Sequence, residues 1–306
     1  MPEPLLHDRG LDVDPARIGI SYSGGGALLL VELGIARAFI DLGIRPYAIA
    51  GVSAGAITGA AHAIDPVDGR GILAAAKGLE RVSNRTLGLT VSRVLGRAVR
   101  EGHHLLSLGS NEPIKALLAG AFLELAGRER VDFDYFGQEG RPRLLVGATD
   151  RRRAEPVWLR GGDADVADAL VGSSAIPGVF PPKAMRIDGE DRLLIDGGVV
   201  GDQPLSVLAL EGCGTIYGCA VGYDGGRLAA PANLVDNFLH SIAIMRHAAS
   251  RLEQAYVQQL LGERGVVHHI HPEVPFPVKG FNFDRDVIAR VMEDAREATK
   301  RWLDQR

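Results

Sequence analysis

Two short apolar runs, each closed by a glycine-bracketed turn and followed by a helix-like segment, fill residues 18–63 and constrain the fold more than any other feature. Residues 18–23 read as a strand that stops at Gly24-Gly25-Gly26. In residues 27–42 the positions Leu30, Leu33, Gly34, Arg37 and Ala38 recur at helical spacing, and Gly43 ends the segment. Residues 47–52 are again apolar and too short for a helix. Ser53 follows at once, and residues 54–63 are small and helix-permissive. Strand, helix, strand, turn, helix is a βαβ unit, which demands a parallel pair of strands.

The rest of the chain continues the alternation. Residues 143–148 and 155–159 read as paired strands joined at Asp150-Arg151-Arg152-Arg153, with the arginines at a solvated tip. Residues 164–171 read as a helix, 192–195 as a strand running into Asp196, and 215–221 as a buried strand. A long helix over 234–261, a last strand over 265–271 and an amphipathic closing helix over 284–303 complete the reading. The 306 residues show neither internal repeat nor composition break, so one domain over residues 1–306 is expected.

Residues 71–108 stand apart. Arg81, Arg85, Arg93, Arg97 and Arg100 alternate with Leu87, Leu89, Val91, Val94, Leu95 and Val99. The plain reading is a cap-like helical segment whose apolar side lies over the core and whose charge is solvated. The functional reading is a cap that touches lipid head groups.

Bulk composition excludes some classes. A net charge of −4 argues against nucleic acid as partner. Cys213 and Cys219 fit neither a metal nor a redox spacing and suit buried or free thiols in a reducing compartment. Residues 1–17 are polar, unlike a signal peptide, and no segment reads as a membrane span. A cytoplasmic protein, with peripheral membrane contact left open, is the expectation.

Three motifs carry chemistry. In Gly51-Val52-Ser53-Ala54-Gly55 a serine sits between a strand and a helix, where a sharp turn holds its hydroxyl clear of the fold. A plain turn with Ser53 as helix N-cap would fit the pentapeptide equally well. Gly24-Gly25-Gly26 can aim backbone N–H groups at an anion. A phosphate loop would need Gly-Lys-Ser/Thr where Ala27-Leu28-Leu29 stand, and a dinucleotide loop would need a third spaced glycine, so an oxyanion hole fits best. Asp196-Gly197-Gly198 ends an apolar strand, which is either an ordinary turn or a carboxylate on the same sheet edge as Ser53.

Together with Ser173-Ser174-Ala175-Ile176-Pro177-Gly178-Val179-Phe180-Pro181-Pro182, these runs resemble the patatin-like phospholipases in order and spacing, over roughly residues 18–210. The resemblance implies an α/β fold, a three-layer α/β/α sandwich around a mainly parallel sheet. It implies a Ser53–Asp196 dyad without histidine, supported by Gly51, Gly55, Gly197 and Gly198, with Gly24, Gly25 and Gly26 as oxyanion hole. It further implies hydrolysis of lipid acyl esters such as phospholipid, lysophospholipid or neutral glyceride, with no metal or other cofactor. The family pattern continues after the glycine triplet with a basic residue and a glycine; this chain has Leu28 and Leu29. That departure points toward uncharged esters as substrates, or toward a lipid-binding or regulatory module with little catalysis. His240, His247, His268, His269 and His271 all follow Asp196, so chain order permits a triad. The elbow, however, follows only the second strand, which favours the dyad.

Overall fold

The computed structural model describes residues 11–104, 106–162, 164–227, 230–231, 234–275 and 281–305; residues 1–10 of the polar N-terminal stretch lie outside them. The elements run β1 (Asp14–Tyr22), α1 (Leu29–Asp41), β2 (Ala48–Val52), α2 (Ala54–Ile64), α3 (Arg70–Leu79), α4 (Val91–Glu101) and α5 (Glu112–Ala126). They continue with β3 (Arg143–Asp150), β4 (Glu155–Leu159), α6 (Val166–Ser173), β5 (Lys183–Ile187), β6 (Glu190–Asp196), α7 (Ser206–Leu210), β7 (Cys213–Cys219), α8 (Leu234–Leu261), β8 (Val266–Ile270) and α9 (Arg285–Asp304).

The strands form an 8-stranded mixed sheet in the order β5-β6-β3-β2-β1-β7-β8, with β4 also on β3. The five strands β3, β2, β1, β7 and β8 are mutually parallel; β4 and β6 run antiparallel to β3, and β5 antiparallel to β6. Every residue of β2 is buried, as its Ala-Ile-Ala-Gly-Val sequence and its central place require. On one face Ile20, Tyr22, Ile49 and Val146 pack with α1, α2 and α9. On the other Ala48, Ala50, Leu145 and Ile216 pack with Val207 and Leu208 of α7 and Val257 and Leu261 of α8. Two apolar clusters on opposite faces make the three layers.

The register along β3 decides where the site lies. Gly51 and Val52, which end β2, pair with Val146 and Gly147. Asp196, which ends β6, pairs with Ala148. Because β4 takes up the other edge of β3 over Val146–Asp150, β2 and β6 share one edge and meet head-on there. The carboxylate comes from the opposite direction, into the gap left where β2 stops.

The cap-like segment also departs from expectation. No residue of α4 is buried, and its apolar positions Val91, Leu95 and Val99 face outward rather than over the core. The tip arginines Arg151, Arg152 and Arg153 are exposed as read. Cys213 and Cys219 are buried free thiols at the two ends of β7. Among the described residues no helix is long and apolar enough to cross a membrane.

Candidate active site

A single residue separates β2 from α2, so Ser53 alone makes the turn. It does so at φ 54° and ψ −121°, a conformation that a side chain with Cβ adopts only when its surroundings impose it. The surroundings are tight. A Cβ at position 51 would lie 2.3 Å from the Gly55 carbonyl oxygen, and one at 55 would lie 2.3 Å from those of Tyr22 and Ser23. Only glycine fits on either side, which is the physical content of the pentapeptide. The backbone N–H of Ser53 donates to Ser173 Oγ at 2.8 Å, and Ser173 donates in turn to the Gly147 carbonyl at 2.6 Å. The strained turn is therefore tied to β3 through a fully buried hydroxyl from the decapeptide.

Ser53 makes no side-chain cap to α2, so the plain N-cap reading fails. Its hydroxyl instead donates to Asp196 Oδ2 at 2.6 Å. Asp196 Oδ1 accepts the Gly198 N–H at 2.8 Å, fixing the carboxylate so that Oδ2 faces the serine. The Asp196 backbone is held on both sides: its N–H donates to the Ala175 carbonyl at 3.0 Å, and its carbonyl accepts Thr149 Oγ1 at 3.0 Å. Gly197 crosses β3 so closely that a Cβ there would lie 2.5 Å from the Gly147 carbonyl oxygen. Burial pushes the Asp196 pKa up from 3.8 to about 6, against the opposing pull of the Ser53 and Gly198 hydrogen bonds and the Arg246 cation. A carboxylate poised there, within hydrogen-bond reach of a hydroxyl, can take its proton near neutral pH.

The glycine triplet lies against this pair: a Cβ at Gly24 would approach Ser53 Cβ to 3.5 Å. The three glycines are not equivalent. The Gly24 N–H already donates to the Asp202 carbonyl at 3.1 Å, so it is spent on holding the loop rather than open to an oxyanion. Gly26, at φ 56°, lines the same pocket as Ser53. The loop is clamped by a group that the sequence reading did not single out. Arg246 of α8 donates from Nη2 to the Gly24 carbonyl and from Nε to Asp202 Oδ1 at 2.8 Å. Asp202 is buried, and burial raises its pKa while the Arg246 guanidinium opposes the rise. Behind the loop Glu32 is fully buried, accepts Thr58 Oγ1 at 3.3 Å, and is held well above the usual carboxylate range by burial.

Ser53 opens onto a pocket whose lining is apolar or glycine except for Ser53 and Ser174. The walls are helix stripes at i, i+3, i+4 spacing: Ile57, Ala60, Ala61 and Ile64 from α2, Ala74, Ala75 and Gly78 from α3, and Ile114 to Leu125 from α5. Phe180 of the decapeptide lines the pocket too, packed with Leu87 and Ile114 in one apolar cluster. Leu28 does not line this pocket; it lies with Val221 and Tyr223 in a separate depression, so it adds nothing apolar to the mouth. His268 stacks on Tyr217 at 5.0 Å between ring centres, and His247 lies edge-on to Tyr223 at 5.3 Å, while the Ser53 hydroxyl goes directly to Asp196.

The family model for the patatin-like phospholipases, described as Patatin, matches residues 20–209. Among curated proteins, NTE family proteins of Mycobacterium tuberculosis and Mycobacterium bovis are each 28% identical over 233 residues, covering 76% of this chain and 55% of the relative. The chain thus spans about half the length of these relatives. Among solved structures, VipD from Legionella pneumophila is similar at 16% identity over 95% of this chain and 67% of that one, with a TM-score of 0.48. Human GIVD cytosolic phospholipase A2 is similar at 14% identity over 94% of this chain and 57% of that one, with a TM-score of 0.49. With its glycine triplet, serine elbow, decapeptide and Asp-Gly-Gly all inside the matched span, the chain belongs to the patatin-like phospholipase family.

Proposed function

We propose that this protein hydrolyses carboxylic esters of lipids through Ser53 and Asp196, holding one acyl chain in the pocket between α2, α3 and α5. The observation that carries this reading is the 2.6 Å hydrogen bond from Ser53 Oγ to a buried carboxylate at the opening of an almost wholly apolar pocket. Asp196 Oδ2 takes the hydroxyl proton as Ser53 Oγ attacks the ester carbonyl carbon. The carbonyl oxygen becomes an oxyanion, stabilised by the Gly25 and Gly26 amides and by the N-terminus of α2. Collapse expels the alcohol, which takes the proton from Asp196 and leaves an acyl-serine. Water, deprotonated by the same carboxylate, then adds to the acyl carbon; collapse breaks the bond to Ser53 Oγ, which takes the proton back from Asp196 as the fatty acid leaves.

The test is covalent labelling by a fluorophosphonate together with turnover of a soluble ester. Ser53→Ala and Asp196→Asn each lose at least about 10³-fold in turnover while keeping the fold, and Ser53→Ala loses all label. Single alanine variants of His240, His247, His268, His269 and His271 keep most activity. Substantial turnover by clean Ser53→Ala, or a histidine as necessary as Ser53, defeats the proposal.

A further inference from the structure

α4 presents an apolar stripe to water. Val91, Leu95 and Val99, at i, i+4 and i+8, share one face and are 76%, 60% and 87% exposed. Arg93, Arg97 and Arg100 occupy the opposite side of the helix. Arg93 donates to the Arg85 carbonyl at 2.9 Å, and Arg97 donates to the Gly109 carbonyl at 2.7 Å. Val94, Arg97, Ala98 and Glu101 form the half-buried side of the helix while Arg93 and Arg100 stay exposed, so an apolar stripe and two arginines both face solvent. Three aligned apolar side chains left in water on a helix that buries none of its residues call for a covering.

The position of the helix indicates what covers it. The segment after α4 is stitched to the decapeptide: the Leu108 and Gly109 N–H groups donate to the Gly178 and Val179 carbonyls at 2.9 and 2.8 Å. Phe180, the next residue, lines the Ser53 pocket, and so does Leu87, just before the helix. α4 thus stands next to the pocket wall that Leu87 and Phe180 form, and Leu106 adds a further side chain that is 68% exposed. Residues 81–104 carry five arginines and one glutamate in a chain of net charge −4. A second copy in a twofold contact would bring this cationic rim against itself. The stripe is also much smaller than the roughly 800 Å² per partner that a stable protein interface buries. Eleven residues rise only about 16 Å, too short to span a bilayer and suited to lying in its interface.

We propose that the outward face of α4 inserts into the surface of an anionic lipid membrane, bringing the mouth of the Ser53 pocket to its substrate. The inference rests on the lipid-ester reading of that pocket, but binding is measurable without catalysis. The experiment is co-sedimentation with vesicles of phosphatidylglycerol and phosphatidylcholine, against phosphatidylcholine alone. Wild type and Ser53→Ala partition equally onto the anionic vesicles. The triple variant Val91→Ser, Leu95→Ser, Val99→Ser loses at least about tenfold in partition, since each change removes apolar burial. Its soluble-ester turnover stays at the wild-type level, because these side chains are exposed and remote from the reacting atoms. Arg81→Gln, Arg85→Gln and Arg100→Gln each weaken anionic binding by about fivefold and leave neutral binding little changed. Failure of wild type to bind anionic vesicles, or unchanged binding by the serine variant, overturns the proposal. So does a wild-type dimer that the serine variant converts to monomer, which would make a second copy the occupant. Loss of ester turnover in wild type with vesicle binding intact would instead strike the catalytic reading.

Discussion

With an acyl chain in the proposed pocket, replacing Gly78 by leucine should shift ester preference from long chains toward short ones, and the size of the change follows from helix geometry. Ser53 and Ile64 mark the two ends of the α2 stripe, and Ile114 and Leu125 those of the α5 stripe. Each spans eleven residue steps, or about 16 Å. An extended acyl chain advances about 1.25 Å per carbon for C–C bonds of about 1.5 Å, so the pocket seats about 13 carbons. α3 returns antiparallel to α2: a Cβ at Gly71 would press on the Ala61 carbonyl and Ile64 Cγ2 at the far end. Gly78, seven residues later, is about 10 Å nearer the mouth, leaving room for about five carbons beyond Ser53. A Cβ at Gly78 meets no atom within 4 Å, so the new side chain enters open space in the pocket wall without a clash, and the helix gains propensity. Each excluded methylene removes about 0.8 kcal/mol, close to fourfold. Losing four or more costs about 3 kcal/mol, so the ratio of kcat/KM for a C12 ester to that for a C4 ester should fall by at least about 100-fold. The assay is a p-nitrophenyl ester series from C4 to C16 on both proteins. An unchanged ratio in a folded variant would show that the acyl chain does not lie between α2 and α3.

Two further outcomes follow from the charges around the serine. Ester turnover should rise with pH through an apparent pKa of about 6, because the base must be ionised. A folded-state pKa raised from 3.8 means that stability from Asp196 is fullest below about pH 4 and is lost as pH rises to 6. Asp196→Asn should therefore gain up to about 3 kcal/mol relative to wild type at pH 8 and nothing at pH 4, as denaturant unfolding at the two pH values would read. Arg246→Met leaves the buried Asp202 without its cation, and a destabilisation of about 3 kcal/mol or more is expected. The Asp202→Asn, Arg246→Met double variant should recover stability without recovering turnover, and its acid limb should shift in pH from that of wild type. The charged groups that face Asp196 and its supports are Arg246, Asp202 and, behind the loop, Glu32. Full turnover in the double variant would limit the clamp to a structural role.

The elements that the sequence made legible are those with short-range punctuation. The βαβ unit was readable because Gly24, Gly43 and the Ser53 elbow mark its ends, and the long apolar period of α1 and α9 marks their faces. α5 and β5 went unread, although signals were present. Asn111, Pro113 and Gly127 bracket α5 as start and stop, and Asp188-Gly189 is a hairpin dipeptide between β5 and β6. Ser53 and Asp196 are legible as motifs, while the head-on meeting of β2 and β6 that joins them is set by tertiary pairing on β3. Arg246 stands 44 residues from Asp202 and 222 from Gly24, on a helix whose period says nothing of a clamp, so only tertiary structure joins them. α4 misleads for a related reason: amphipathicity gives two faces, and nothing in the period says which one turns inward.

β3 works as a measuring strip. Gly147 receives the end of β2 and Ala148 the end of β6, so the two halves of the dyad are spaced by one residue of a third strand, about 3.3 Å. Neither half needs to recognise the other directly. Loops between α2 and β6 can therefore lengthen or shorten without disturbing the contact, provided that both strands keep their rungs. A one-residue slip of either strand would pull the oxygens apart by more than a hydrogen bond spans. On the proposed mechanism, chemistry is switched on by docking: until the β5–β6 hairpin has zipped onto β3, the Ser53 hydroxyl lacks its carboxylate partner.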